Sequence, residues 1–371
     1  MAQLNMTPMQ RAISLARLAM GTTSPNPSVG AVLVKDGVVV GEGYTLPPGQ
    51  RHAEIGALQQ AGEAARGAIL YTTLEPCCHF GRTPPCTRAV IAAGVKEVHF
   101  ALIDPNPRVR NGGRAELEAA GIAVVAGEEA GPAAELYEGF AKHITTGLPF
   151  VSAKFAMSLD GKIAARTGDS KWVTGPDARS LVQQMRLETD AVMVGINTVL
   201  ADDPQLTVRI PVAGPQNGKQ PLRVVMDSRG RTPAQAKMLR EPGTTLIFAS
   251  NAASQAQVEA LRTAGAEVIV VPGDATGRVD PASVFQELGK RGIVNLLVEG
   301  GGTLLGSLFD AGLVDKVFAF IAPVIIGGRE AASPVEGCGV ARMAEAWRMA
   351  SARMQQVGAD WLVVGYPRAG R

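Results

Sequence analysis

Along this chain the apolar positions keep switching between a helical and a strand period. Met9, Ala12, Ile13, Ala16, Ala19 and Met20 recur at three- and four-residue spacing, which predicts an amphipathic helix over 7–20. The apolar runs 29–34 and 38–43 flank Lys35-Asp36-Gly37, and an Asp-Gly pair between β-branched runs predicts a hairpin. A helix starting near His52, a strand at 68–73, a helix at 86–93 closed by Gly94 and a strand at 97–103 come next. A helix at 114–120, a short strand at 122–125 and a helix at 135–145 continue the alternation. The last of these ends at Gly147-Leu148-Pro149, which reads as a linker. Beyond it Phe150 opens a strand that runs into the turn Asp160-Gly161, and strands are expected at 192–195, 223–227, 245–249, 267–271, 295–299 and 317–324. Several of these are apolar throughout, as strands covered on both faces are. The pattern predicts two α/β domains, 1–147 and 148–371.

Composition narrows the function classes. A chain of 371 residues is too long for one ordinary core, and 46% hydrophobic content is enough to fill two. A net charge of +2 offers no broad basic face, so no nucleic-acid partner is expected. No apolar run approaches the ~18 residues of a membrane span, and Arg11 and Arg17 interrupt the N-terminal apolar residues. The expectation is therefore a cytoplasmic protein without a membrane partner. Of its four cysteines, three lie between 77 and 86, which suits a reducing compartment better than a disulfide framework.

That crowding is where the chemistry concentrates. His52, Glu54 two residues on, and two cysteines each preceded by proline supply what a zinc-dependent hydrolytic deaminase needs: three ligands that leave one zinc position open for water, and a carboxylate outside the ligand set. His52, Cys77 and Cys86 are the expected ligands, and Glu54 the proton carrier between water and the departing amine. Residues two apart on a regular helix point to nearly opposite sides, so His52 and Glu54 share a metal only where a helix is starting. Pro84-Pro85 predicts a second helix start at Cys86, and helix N-termini favour thiolate. The spacing departs from the common P-C-x-x-C form, with eight residues between Cys77 and Cys86. A closed structural site of Cys77, Cys78, His79 and Cys86 competes with this arrangement, but leaves His52-Ala53-Glu54 without a role. Cys78 alone reads as a small buried residue; His79 either lines the substrate site or caps its loop.

In the second half, 296–307 reads as a buried strand, a glycine turn and an apolar helix start. Such glycines let backbone N–H groups approach a phosphate, and the helix terminus favours its charge. The stretch has neither the G-x-G-x-x-G spacing nor the P-loop lysine, so a tight turn without ligand is the competing reading. Asp202-Asp203-Pro204, read alone, is a solvated turn.

Taken together, these motifs are similar to one family. Thr73-Leu74-Glu75-Pro76-Cys77-Cys78-His79-x-Gly81-Arg82-Thr83-Pro84-Pro85-Cys86, with His52-Ala53-Glu54, Asn26-Pro27-Ser28-Val29-Gly30 and Asp104-Pro105-Asn106-Pro107, resembles the deaminase half of the bifunctional riboflavin-biosynthesis deaminase/reductase family. Lys154-x-Ala156-x-Ser158-Leu159-Asp160-Gly161-Lys162, Ser170-Lys171-Trp172, the stretch 195–209 and Val298-Glu299-Gly300-Gly301-Gly302 resemble its reductase half. The resemblance is weakest at 211–221 and in the last part of the chain. It implies a cytidine-deaminase-like three-layer domain followed by a dihydrofolate-reductase-like one, with zinc and NADPH as cofactors. The implied reactions are hydrolytic removal of the C2 amino group of 2,5-diamino-6-(ribosylamino)-4(3H)-pyrimidinone 5′-phosphate, then reduction of 5-amino-6-(5-phosphoribosylamino)uracil to the ribitylamino product. The implied NADPH contacts are Ala156, Trp172, Thr198, Asp202, Ser228, Gly301, Gly302, Thr303, Leu304, Leu305, Gly306 and Ser307. The implied substrate contacts are Ser170, Arg186, Leu206, Arg209 and Glu299. Asn26 is either a contact to the base or a turn residue, and Lys154 and Asp202 both stand as proton donors of the reduction. A homo-oligomer through the reductase domain is also implied. Asn111 stands where the family usually has glycine, a position asparagine tolerates because it adopts positive φ more readily than most residues.

Overall fold

The computed structural model describes residues 6–370 apart from 213 and 275. The described residues fall into two compact units, Met1–Gly147 with Val212–Gly218, and Leu148–Pro211 with Lys219–Arg371.

The first unit opens with α1 (Pro8–Ala19), started by a capping box in which Thr7 and Gln10 satisfy each other's backbone N–H groups. Its buried face, Met9, Ala12, Ile13, Leu15, Ala16 and Ala19, follows the helical period of the sequence. The strands β1 (Gly30–Lys35) and β2 (Val38–Tyr44) form the expected hairpin, with Asp36 at φ 50° and Gly37 at φ 78°, the left-handed pair that a two-residue turn requires. With β3 (Ile69–Thr72), β4 (Glu97–Phe100) and β5 (Ala123–Ala126) they make a five-stranded sheet ordered β2-β1-β3-β4-β5. The strands β3, β4 and β5 run parallel. Four more helices, α2 (Ala53–Ala61), α3 (Cys86–Ala92), α4 (Gly112–Ala119) and α5 (Ala130–Thr146), complete the unit. α5 begins earlier than the expected 135 because Pro132 falls in its first turn, where a missing N–H costs no intrahelical bond.

Two glycines of β2 set the position of α2. A Cβ on Gly43 would lie 2.1 Å from the Ala53 carbonyl oxygen, and one on Gly41 would lie 2.2 Å from that of Ala57. The helix backbone therefore rests directly on the strand, which fixes where the start of α2 sits. Leu33, Ala53, Ala57, Leu70, Val98 and Leu117 fill the core between them.

The second unit is built on nine strands: β6 (Phe150–Ser158), β7 (Ala191–Gly195), β8 (Leu222–Met226), β9 (Thr245–Ala249), β10 (Glu267–Val270), β11 (Asn295–Val298), β12 (Lys316–Ala322), β13 (Arg348–Val357) and β14 (Asp360–Arg368). They are ordered β10-β9-β8-β7-β11-β6-β12-β14-β13. The seven strands from β10 to β12 in this order are parallel, and β14 and β13 are antiparallel additions. Five helices, α6 (Pro176–Glu188), α7 (Ile196–Asp202), α8 (Gln255–Thr263), α9 (Pro281–Lys290) and α10 (Gly302–Asp310), connect them. Successive residues of β7 and β9 feed opposite cores: Ala191, Met193, Leu246 and Phe248 pack on one side, and Val192, Val194, Ile247 and Ala249 on the other. Burial on both faces is why these strands read as unbroken apolar runs. The strand β11 lies between β6 and β7, so chain direction across the sheet changes there; ligands bind outside the carboxyl ends of parallel strands at such a point. Among the described residues no helix is long and apolar enough to cross a membrane.

Candidate active sites

In the first unit His52 is the N-cap of α2, Glu54 lies in its first turn, and Cys86 is the first residue of α3 behind Pro85. The end of β3 leads into the loop that carries Cys77. His52 Nδ1 lies 3.6 Å from Cys77 Sγ and 3.4 Å from Cys86 Sγ, and the three ligand atoms lie within 4.8 Å of one another. A tetrahedral zinc at about 2.3 Å from sulfur and about 2.0 Å from nitrogen separates its ligands by roughly 3.5 Å. The donor set therefore fits zinc in both chemistry and spacing, with one coordination position left over. Thr83 Oγ1 sits 3.2 Å from His52 Nε2, an outward hydrogen bond that leaves Nδ1 to the sulfurs.

Glu54 is buried, and its Oε2 has no hydrogen-bond partner among the described residues. Burial pushes its carboxyl up from the ordinary range, the Cys77 sulfur adds to this, and His52 opposes it. An orphaned buried oxygen beside a ligand set calls for a water or a substrate as partner. Among the protein groups alone, the hydrogen bond from Cys86 lowers the Cys77 thiol, and the same contact pushes Cys86 up.

Around this centre, the Glu75 carboxylate accepts the backbone N–H groups of Asp104 at 3.2 Å, Asn111 at 3.0 Å and Arg114 at 3.0 Å. Three bonds from one buried side chain fasten the 104–114 loop. Asn111 adopts φ 60°, the left-handed conformation for which glycine would otherwise be chosen. Asp104 accepts from the Asn106 N–H at 2.8 Å, and burial raises its carboxyl to about 7. Cys78 turns to the carbonyls of Arg108 and Val109, both at 3.9 Å. His52, and neither Cys78 nor His79, completes the metal group, so the closed structural arrangement is not what the fold builds. His79 is half-buried with its Nδ1 unpartnered. Asn26 is half-buried in the loop entering β1, its N–H held by the Thr23 carbonyl at 2.8 Å. The contributions of Thr83 and Glu75 escaped the sequence reading; the signal for Thr83 was a hydroxyl next to the proline pair.

In the second unit the ends of β6, β7, β8 and β11 open into a cavity of about 1530 Å³. Single-ligand pockets run to roughly 1,000 Å³, so this one has room for a cofactor and a substrate together. Of the expected cofactor contacts, Ala156, Trp172, Thr198, Asp202, Ser228, Gly301, Gly302, Thr303, Leu304, Leu305 and Ser307 line it. Gly306 is not in the lining; its α-carbon packs on backbone, where a Cβ would lie 2.3 Å from the Glu336 carbonyl carbon. Gly300 at φ 123° and Gly301 at φ 90° form the turn into α10, and a Cβ on Gly301 would come within 3.1 Å of Thr198 Oγ1. This is a cradle for a phosphate that a side chain would fill. Arg229, Arg231, Lys237 and Arg278, which the sequence reading missed, give the cavity a basic wall. Glycine turn, volume and basic wall together fit a phosphorylated dinucleotide.

The expected substrate contacts Ser170, Arg186, Leu206, Arg209 and Glu299 also line the cavity, as does Lys154. Arg186 is committed to Glu299 through a bidentate pair at 2.5 and 2.9 Å and donates to the Thr207 carbonyl at 3.0 Å. Arg209 has no ion pair among the described residues and donates from Nη1 to Gln205 Oε1 at 2.8 Å, so it is a cation able to receive an anion. Lys154 is half-buried; desolvation lowers its ammonium pKa, Glu299 counteracts this and Arg186 reinforces it. Asp202 accepts a hydrogen bond from Ser170 Oγ at 2.9 Å.

A zinc-type deaminase centre in one unit and a dinucleotide-sized, glycine-cradled cavity in the other define a bifunctional deaminase and NADPH-dependent reductase. Residues 3–102 match the cytidine and deoxycytidylate deaminase zinc-binding region, and residues 149–363 match the RibD C-terminal domain. The riboflavin biosynthesis protein RibD of Actinobacillus pleuropneumoniae is 41% identical over 96% of this chain and 93% of its own length. The RibD of Escherichia coli strain K12 is also 41% identical, over 95% of this chain and 96% of its own length. Among solved structures, Acinetobacter baumannii RibD superposes with a TM-score of 0.85 at 39% identity, covering 97% of this chain and 98% of that one. The chain belongs to the RibD family, the bifunctional deaminase/reductases of riboflavin biosynthesis. Its first unit carries the cytidine and deoxycytidylate deaminase zinc-binding region and its second the RibD C-terminal domain.

Proposed function

We propose that the first unit removes the C2 amino group of 2,5-diamino-6-(ribosylamino)-4(3H)-pyrimidinone 5′-phosphate as ammonia, and that the second reduces the resulting 5-amino-6-(5-phosphoribosylamino)uracil to its ribitylamino form. A solved relative from Thermotoga maritima, 34% identical, carries the corresponding deaminase and reductase names. The observation that carries the reading is the orphaned Glu54 Oε2 beside the His52, Cys77 and Cys86 ligand atoms.

Zinc held by those three residues supplies a Lewis acid that makes water nucleophilic near neutral pH. Glu54 takes one proton of the attacking water and passes it to the ring nitrogen beside C2, then takes the second from the resulting C2 hydroxyl and delivers it to the amine, which leaves as ammonia. Its burial supports this role, since a carboxylate whose pKa is raised takes a proton from water more readily than a solvated one.

In the second unit NADPH supplies the hydride to the sugar C1′. Gly301 to Leu305, Ser307 and the basic wall seat its phosphates, and Arg209 receives the substrate phosphate, for which a planar guanidinium suits bidentate contact. Arg186 instead holds Glu299 in place. Lys154 is the proton donor of the reduction: desolvation weakens its hold on the proton, whereas Asp202 is an acceptor to Ser170. Homo-oligomerisation through this unit belongs to the same reading, supported by the exposed edge strand β13, which carries Met354 at 69% exposure.

The test is a coupled assay on zinc-loaded protein with the diaminopyrimidinone ribotide, following ammonia and NADPH absorbance together. Ammonia release that precedes NADPH oxidation is the expected result. Ammonia without oxidation would remove the reductase assignment, and oxidation without ammonia would remove the deaminase one.

A further inference from the structure

Among the described residues Arg223 is the largest side chain buried completely, and it forms no ion pair. Its guanidinium instead donates to four oxygens: Nε to Thr245 Oγ1 at 2.9 Å, Nη1 to the Pro242 carbonyl at 2.7 Å, and Nη2 to the carbonyls of Glu241 at 3.1 Å and Gly243 at 2.7 Å. A buried cation is tolerated only when hydrogen-bonded in this way. The consequence is local: three successive carbonyls of 241–243 are clamped, and with them the origin of the Glu241 side chain.

The Glu241 carboxylate lies outside the cavity lining, but it reaches a residue that is inside. Gln205 Nε2 donates to Glu241 Oε1 at 2.5 Å, and Gln205 Oε1 accepts from Arg209 Nη1 at 2.8 Å. An amide has one donor end and one acceptor end. A carboxylate can only accept, so Glu241 takes the NH₂ end and turns the oxygen of Gln205 toward the guanidinium. The backbone N–H of Arg209 is held separately by Gln183 Oε1 at 2.9 Å. Between the two tethered residues lies Leu206, buried at φ 56°. A non-glycine residue persists there only where its surroundings over-determine it.

We propose that Glu241, acting through Gln205, is a positioning residue for Arg209: it sets the amide orientation that aims the guanidinium at the substrate phosphate. The inference rests on the reading that Arg209 receives that phosphate. Glu241 touches neither cofactor nor substrate in this arrangement. Its effect is confined to the orientation of one cation.

The experiment is reductase kinetics on the full zinc-loaded chain with 5-amino-6-(5-phosphoribosylamino)uracil and with its dephosphorylated counterpart. The variants are Glu241→Ala, Glu241→Gln, Arg209→Ala and the double variant Arg209→Ala/Glu241→Ala. Glu241→Ala is expected to raise KM for the phosphorylated substrate about tenfold, with kcat changed less than about twofold, as loss of one charge-assisted arrangement does. Glu241→Gln keeps an oxygen for Gln205 and should recover most of that loss. The KM for NADPH and the reaction of the dephosphorylated substrate should not move. In the double variant Glu241→Ala should add nothing to Arg209→Ala, because both act through one group. An unchanged kcat and an unchanged KM for NADPH report that the second unit of each variant is folded. An equal KM penalty in the presence and absence of Arg209, or a parallel rise in the KM for NADPH, overturns the positioning role while leaving the phosphate reading intact. An Arg209→Ala variant with unchanged KM overturns the phosphate reading and this inference with it.

Discussion

The proposed zinc site gathers its candidate ligands and proton carrier from residues 52–86, whereas the cavity of the second unit is lined by residues from Lys154 to Glu336. The first is made of side chains that all point at one small volume, placed by two helix starts and one loop. The second depends on backbone: a glycine turn with no side chain to obstruct a phosphate, and strand ends that bring distant stretches together. A site of the first kind fails when one group changes. A site of the second kind spreads its binding over many contacts and fails by degrees. Substitutions in the two units therefore test how far this contrast holds.

The sharpest break is expected at Glu54. Glu54→Gln keeps the shape of the side chain and leaves His52, Cys77 and Cys86 to hold zinc, but it removes the proton carrier. Ammonia release should fall by about 10³-fold, within the range general acid–base groups contribute. Zinc content measured by metal analysis should not change, and NADPH oxidation with the deaminated substrate should continue. If ammonia release survived, the fold would still be a deaminase fold, but the carrier would be another group.

Next in size is Lys154. Lys154→Ala should slow single-turnover hydride transfer about 10²-fold, and Asp202→Asn by clearly less. The pH dependence has a definite sign. Desolvation holds the Lys154 ammonium below the ordinary lysine range, and the protonated form is the donor. The reductase rate should therefore fall as pH rises through that lowered pKa, earlier than for a solvated lysine, and Lys154→Ala should abolish this limb. Ammonia release from the same protein should not share it.

A third variant probes backbone dependence directly. Gly301 stands at φ 90° with Thr198 Oγ1 3.1 Å from where a Cβ would sit. Gly301→Ala should raise the KM for NADPH about tenfold through strain of about 1–3 kcal/mol, with deamination unchanged. An unaltered KM would mean that this turn is not where the cofactor phosphates lie.

The same contrast decides how much could be read from sequence. His52, Glu54, Cys77 and Cys86 were legible because zinc chemistry demands fixed residue types, and two residues of separation at a helix start announce themselves. The parallel strands were legible because burial on both faces leaves unbroken apolar runs in β7, β9 and β11. The contacts of the cavity came from family motifs, since no local pattern states that Ser170 will meet Asp202. The buried Arg223 and its hold on the 241–243 turn left no trace, because a lone arginine reads as a surface residue. The hairpin of β13 and β14 also went unread: β13 is mostly exposed, so its alternation carries little apolar signal.

The smallest expected effect concerns Asn111. Its φ of 60° places it in the left-handed region, and its N–H is one of the three held by Glu75. Asparagine enters that region at less cost than most residues, so Asn111→Ala should lose about 1 kcal/mol while Asn111→Gly stays within about 1 kcal/mol of the parent. Glycine removes the strain of the folded state but gains freedom in the unfolded chain, and the two nearly cancel. Thermal unfolding measures both variants, with an expected drop of roughly 2–4 °C for alanine. Because the Glu75 bonds are made by backbone N–H groups, which both substitutions keep, deaminase kcat should remain within about twofold. A large loss of kcat in Asn111→Gly would assign the asparagine side chain itself a role at the substrate, and would make this loop part of the side-chain-built site rather than its support.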